Sequence, residues 1–176
     1  MPNSFTNKSK EDIRLLISRL DAEQNPTTIR RMLGNLDFTS LNVTDSESNI
    51  KQLCDKLNNY TYTFPDLPLF AAFCVYPRFV PSVIKHLEVP LKIASVAGGF
   101  PSSQTPTRIK IEETRMAINE GADEIDIVMP IGEFIDGNRS YIKDEISAIR
   151  EVVGNRELKV IIESGVLSEP GLIYDA

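Results

Sequence analysis

Two hydrophobic rhythms run along the chain. Near its start, Ile13, Leu15, Leu16 and Leu20 recur at roughly helical spacing behind Ser9-Lys10-Glu11-Asp12, with Ser9 as a candidate N-cap. Asn25-Pro26 interrupts this segment. A short helix through Ile29 and Met32 follows, with Gly34 as its C-cap. From Leu36 onward, short apolar runs alternate with longer helical patterns. Leu36–Leu41 reads as a strand, then Asp45 or Ser46 caps a helix carrying Ile50, Leu53, Cys54 and Leu57. After a loop rich in Tyr, Thr and Pro, the apolar run Leu69–Tyr76 gives a second strand and Pro77–Leu87 a helix. Leu91–Val96 is a third strand, ending at Gly98-Gly99-Phe100-Pro101. A helix over Pro106–Glu120, stopped by Gly121, precedes a fourth strand at Asp123–Met129. The pattern closes with a helix over Arg139–Val153, a fifth strand at Leu158–Glu163 and a further helix from Glu169.

Strands that are short, β-branched and nearly continuously apolar are those of a parallel sheet covered by helices. Two α/β architectures share this pattern: an open doubly wound sheet, and a stretch of a (β/α)8 barrel. Periodicity does not choose between them. A closed barrel takes at least ~200 residues, more than remain after the helical segment. The expected organisation is a helical extension over residues 1–35, followed at 36–176 by strands one to five and the start of helix five.

The 176 residues are 41% hydrophobic and 25% charged, an ordinary globular composition. No apolar run approaches the ~20 residues of a membrane span, and Met1–Lys10 lacks the apolar core of a secretory signal. The net charge of -6, with scattered basic residues, disfavours nucleic acid as a partner. Cys54 and Cys74 lie in different elements without metal-ligand spacing, and His86 is the single histidine. A reduced, cytoplasmic setting follows, with no metal, and with acid–base chemistry left to carboxylates, lysines and water.

Asp126 is the most informative position. Strand alternation puts Glu124, Asp126 and Val128 on one face, and a carboxylate within a parallel strand is costly unless paired. It is either a buried acid–base group or an acid at a frayed strand edge. Lys159 opens the fifth strand and can meet Asp126 if the two strands are neighbours. Otherwise its ammonium snorkels to solvent. Asp37 and Thr39 share a face of the first strand. Cys74 has no histidine beside it and reads first as a small hydrophobe. Gly98–Ser103 lacks both nucleotide-loop patterns and reads as a tight strand-to-helix loop. Glu112-Glu113 reads as a solvated helix face.

Five segments nonetheless carry a specific likeness. Leu36-Asp37-Phe38-Thr39-Ser40-Leu41, Cys74-Val75-Tyr76-Pro77, Lys92–Val96 with Gly99-Phe100-Pro101, Gly121-Ala122-Asp123-Glu124-Ile125-Asp126 and Leu158–Gly165 occur in this order. In sequence, order and spacing they resemble the strand motifs of deoxyribose-phosphate aldolases, with Ser164 where threonine is usual. The likeness spans Leu36 to Leu167.

The resemblance implies a (β/α)8 barrel and a class I, cofactor-free aldolase. Such an enzyme cleaves a small phosphorylated sugar, 2-deoxyribose 5-phosphate, into glyceraldehyde 3-phosphate and acetaldehyde. A lysine forms an imine with the substrate and a second lysine lowers its pKa. By this resemblance Asp126 is the proton-relay aspartate and Lys159 a supporting lysine. Asp37, Thr39 and Cys74 lie near the substrate. The family's imine lysine, in a sixth-strand Phe-Ile-Lys-Thr-Ser-Thr-Gly motif, its activating lysine and its phosphate loops have no match in this sequence. The 176 residues are therefore expected to be inactive alone. The alternatives are a five-stranded receiver-like binding module, with Asp37, Asp126 and Glu163 converging on a metal, and a homo-oligomer formed through exposed sheet edges.

Overall fold

The computed structural model describes residues 7–20 and 25–176, so the reading of the first six residues lies outside the described part. Two helices come first, α1 (Asn7–Leu20) and α2 (Pro26–Leu33). Ser9 sits inside α1 and is not its cap. Helix α2 starts as the sequence dictates. Asn25 Oδ1 accepts the Thr28 N–H at 2.8 Å, Pro26 fills the first turn and Gly34 ends the helix.

Five strands follow: β1 (Asp37–Thr39), β2 (Ala72–Val75), β3 (Lys92–Val96), β4 (Glu124–Val128) and β5 (Glu157–Ile161). Between them run α3 (Glu47–Asn58), α4 (Tyr60–Thr63), α5 (Val80–His86), α6 (Thr107–Asn119), α7 (Ile131–Ile135) and α8 (Arg139–Val153). Helices α9 (Ser164–Leu167) and α10 (Pro170–Asp175) close the described chain. None of the described helices is long and apolar enough to cross a membrane.

All strands are parallel and lie in the order β1-β2-β3-β4-β5. This order overturns the receiver-like alternative, because a doubly wound sheet reverses its strand order at a switch point. Among the described residues no group of three or more His, Cys, Asp or Glu side chains is placed to hold a metal. The sheet is a five-stranded stretch of the (β/α)8 barrel fold.

The strands are shorter than the apolar runs that signal them, for local reasons. After β1, Asp45 ties the turn by accepting from Ser40 Oγ at 2.8 Å and Asn42 N–H at 3.0 Å. It is Ser46 that caps α3, through Asn49 N–H. Pro77–Phe79 form a 3-10 turn before α5. Beyond β5, Glu163 has φ +50° and breaks the extended backbone.

Alternation along each strand sorts the side chains onto two faces. Phe73, Val75, Ile93, Ile125 and Ile127 join Ile50, Leu57, Val80, Ala117, Ile149 and Val153 in the core beneath the helices. Full burial of a side chain of this kind stabilises by about 1.5–3 kcal/mol. The other face carries the small residues Ala72, Cys74, Ala94 and Val96, with Leu41, Tyr76 and Phe100 packed against them. Small residues there leave space along the concave face for polar groups.

Candidate active site

That inner face gathers its charges at β4 and β5. In register, Val96 pairs with Asp126 and Asp126 with Lys159. Lys159 Nζ lies 2.6 Å from Asp37 Oδ2, 3.2 Å from Asp126 Oδ1 and 3.3 Å from Glu124 Oε2. The bridge to Asp37 joins β1 to β5 across three intervening strands. In a flat sheet these strands would stand roughly 19 Å apart, so the sheet must curl for the pair to form. Cys74 Sγ donates to Asp126 Oδ2 over 3.9 Å.

Glu124 is the residue that sequence reasoning passed over. It is 5% exposed, and its second oxygen lies 2.6 Å from Lys92 Nζ, which also reaches Glu157 at 2.9 Å. A chain of alternating charge thus crosses the inner face: Glu157, Lys92, Glu124, Lys159, then Asp37 and Asp126. Alternation had placed Glu124 beside Asp126. A glutamate at a strand's first position carries no other signal of burial.

The electrostatics divide the groups into two kinds. Burial pushes the Asp126 carboxyl above the usual carboxylate range. Lys159 pulls it back, while the charges of Asp37 and Glu124 push with burial. Its Oδ1 is buried and has no hydrogen-bond partner, although the Lys159 ammonium is near; the pair is in contact without hydrogen-bond alignment. Burial works against the Lys159 ammonium, but Asp37 and Asp126 outweigh it and hold the group above the usual lysine range. Lys92 is raised too, chiefly by its hydrogen bonds to Glu124 and Glu157. Burial, then the Asp126 charge, pushes the Cys74 thiol up to about 12.

The structure therefore brings Asp37, Cys74, Asp126 and Lys159 into one cluster. Thr39 is less engaged: it is exposed, and its hydroxyl donates to the Asp37 carbonyl at 3.2 Å. His86, at the end of α5, lies outside the cluster, and its carbonyl accepts from Asn58 Nδ2 at 2.9 Å. Chemically, the charge network sets two lysines held as cations, Lys92 and Lys159, beside one carboxyl, Asp126, that burial raises.

A family model described as DeoC/LacD family aldolase matches residues 31–174. Among solved structures, the chain is similar to QR15, an aldolase, at 25% identity and a TM-score of 0.65, covering 75% of this chain and 55% of that one. It is also similar to a protein from Coccidioides immitis assigned to the deoxyribose-phosphate aldolases. There the identity is 26% and the TM-score 0.72, over 97% of this chain and 66% of the other. The deoxyribose phosphate aldolase of Aeropyrum pernix, a tetramer, shares the fold at 22% identity and a TM-score of 0.62, over 78% and 54% of the two chains. The chain thus spans 54% to 66% of the length of these three proteins.

Proposed function

The chain belongs to the DeoC/LacD family of aldolases, and from that premise we propose that it carries the proton-transfer half of a class I aldolase site acting on 2-deoxyribose 5-phosphate. The observation that carries this reading is the electrostatic division just described. Asp126 is a half-buried carboxyl raised above its ordinary value, with one buried oxygen lacking a hydrogen-bond partner. A proton-transfer group works best with its pKa near the working pH.

An imine-forming lysine needs the opposite environment from Lys159. The free amine is the nucleophile, so its pKa must be lowered by burial or by a neighbouring cation. Lys159 faces three carboxylates and Lys92 faces two, and both are stabilised as ammonium ions. Neither is the nucleophile. Lys159 instead orients Asp126 and Asp37, and its fixed charge attracts an oxygen-rich substrate. Neither an imine-forming lysine nor a phosphate-binding group is among the side chains this cluster brings together. Asp37, Thr39 and Cys74 line the substrate side of the site, and α1 and α2 form a helical extension ahead of the first strand. The two thiols are unpaired, in keeping with a reducing, cytoplasmic setting.

The test is retro-aldol cleavage of 2-deoxyribose 5-phosphate with borohydride trapping. It is run on the chain alone and on a fusion that appends the part of the Coccidioides immitis relative not covered by the match. The expected result is cleavage by the fusion and none by the chain alone. A fusion that folds but neither cleaves nor traps the sugar would refute the assignment.

A further inference from the structure

We propose that the buried ion pair of Lys110 and Glu145, in the helical layer away from the charge cluster, is a clamp on the loop between β3 and α6. It makes Lys110 a positioning residue that holds Phe100 against the inner face. The two side chains are 1% and 3% exposed, with Lys110 Nζ 2.6 Å from Glu145 Oε1. Thr107 Oγ1 donates to Glu145 Oε2 at 2.5 Å and Tyr141 OH donates to it at 3.2 Å. If the pair served only to join α6 to α8, apolar side chains would do as well, because a buried ion pair seldom outperforms them.

What apolar side chains cannot supply is the remaining bond. Lys110 Nζ donates to Ser103 Oγ at 2.7 Å. Ser103 is itself buried and lies in the loop at φ +56°. The same helix grips the loop at a second point, where Glu113 Oε2 accepts the Gly99 N–H at 2.9 Å. Between these points the loop folds tightly on itself. Ser103 N–H donates to Gly99 O at 3.0 Å, and a Cβ on Gly99 would lie 2.3 Å from Thr105 Oγ1. One of the loop's amides is thus taken up within the loop and another by α6. Phe100, between the two grips, packs against the cluster of Ala72, Cys74, Ala94 and Val96. Two grips from α6 therefore set the position of an aromatic wall beside the Cys74 end of the site. That this wall meets a substrate rests on the aldolase reading; the clamp itself does not.

The test uses Ser103→Ala, which removes only the link to the loop, and the double variant Lys110→Met/Glu145→Leu, which removes the pair without leaving a buried charge. Hydrogen exchange of residues 98–104 is measured alongside iodoacetamide labelling of Cys74. Cys54, on the fully buried face of α3, serves as the control for general loosening. In both variants, loop exchange and Cys74 labelling are expected to rise about three- to tenfold, the worth of one buried hydrogen bond. Cys54 labelling should stay at the wild-type value, and the melting temperature of Ser103→Ala should fall by no more than that one bond is worth, about 2–4 °C. Unchanged loop exchange, or Cys54 rising together with Cys74, would overturn the proposal. If the double variant does not fold, Ser103→Ala decides by itself. No substrate enters these readouts, so their failure is separate from failure of the aldolase assignment.

Discussion

At Asp126, burial and two neighbouring carboxylates act against a nearby ammonium, and the balance leaves the carboxyl raised above its ordinary value. Asp126→Asn in the active fusion should lower kcat by about 10²–10⁴-fold with little change in KM, the range for losing a general acid–base group. Steady-state kinetics check this, and an unchanged kcat would remove Asp126 from the relay. Lys159→Met leaves Asp37, Glu124 and Asp126 without their shared cation. Breaking a buried pair costs about 3–5 kcal/mol, and the 35% exposure of Lys159 brings the expectation down to about 1–3 kcal/mol in urea unfolding. Because the folded lysine is held above its ordinary value, this contribution is intact below about pH 10.4 and fades as pH rises through the folded value. The stability gap between wild type and variant should therefore be flat from pH 7 to 10 and shrink beyond. With its thiol pushed up to about 12, Cys74 should resist iodoacetamide at pH 8 and react once denaturant is added. Sequence placed Asp126 on a strand and let it meet Lys159 if β4 and β5 were neighbours, but it did not bring Asp37 against Lys159, 122 residues apart. That contact exists only because the sheet curls, which no local pattern encodes.

The strands were legible because each carries two signals at once, an apolar outer set and a motif on the inner set. In β2, Phe73 points into the helical core and Cys74 to the inner face. Phe73→Ala should cost about 3–5 kcal/mol by loss of a fully buried aromatic. Cys74→Ala should cost much less, since only a sulfur beside small neighbours is lost. Chemical denaturation compares the two, and equal losses would contradict the division of faces. The helices were legible in place but less so in role. In α6 the pair Glu112-Glu113 reads as a solvated face, and Lys110 gave no sign of a role. Yet Lys110 is buried, and Glu113 accepts from the Gly99 amide instead of facing only water. Only Glu112 behaves as read, pairing at the surface with Arg115. The helices of four or five residues, α4, α7 and α9, were missed because a single turn has no period to detect.

At the scale of the molecule, five strands in sequential order curl far enough for β1 and β5 to share an ion pair, yet in the described structure each of these strands is paired on one side only. Unpaired parallel edges template further pairing. The 176-residue polypeptide should therefore self-associate with rising concentration in sedimentation velocity, and the fusion that covers these edges should do so less. A concentration-independent monomer would contradict that. On the proposed reading, this chain supplies the proton relay while its strand lysines are held as cations, unfit for imine formation. Borohydride trapping of the active fusion with 2-deoxyribose 5-phosphate, followed by peptide mapping, tests it most directly. The predicted result is a single adduct on a lysine of the appended segment, with Lys92 and Lys159 unmodified. An adduct on Lys159 or Lys92 would contradict it.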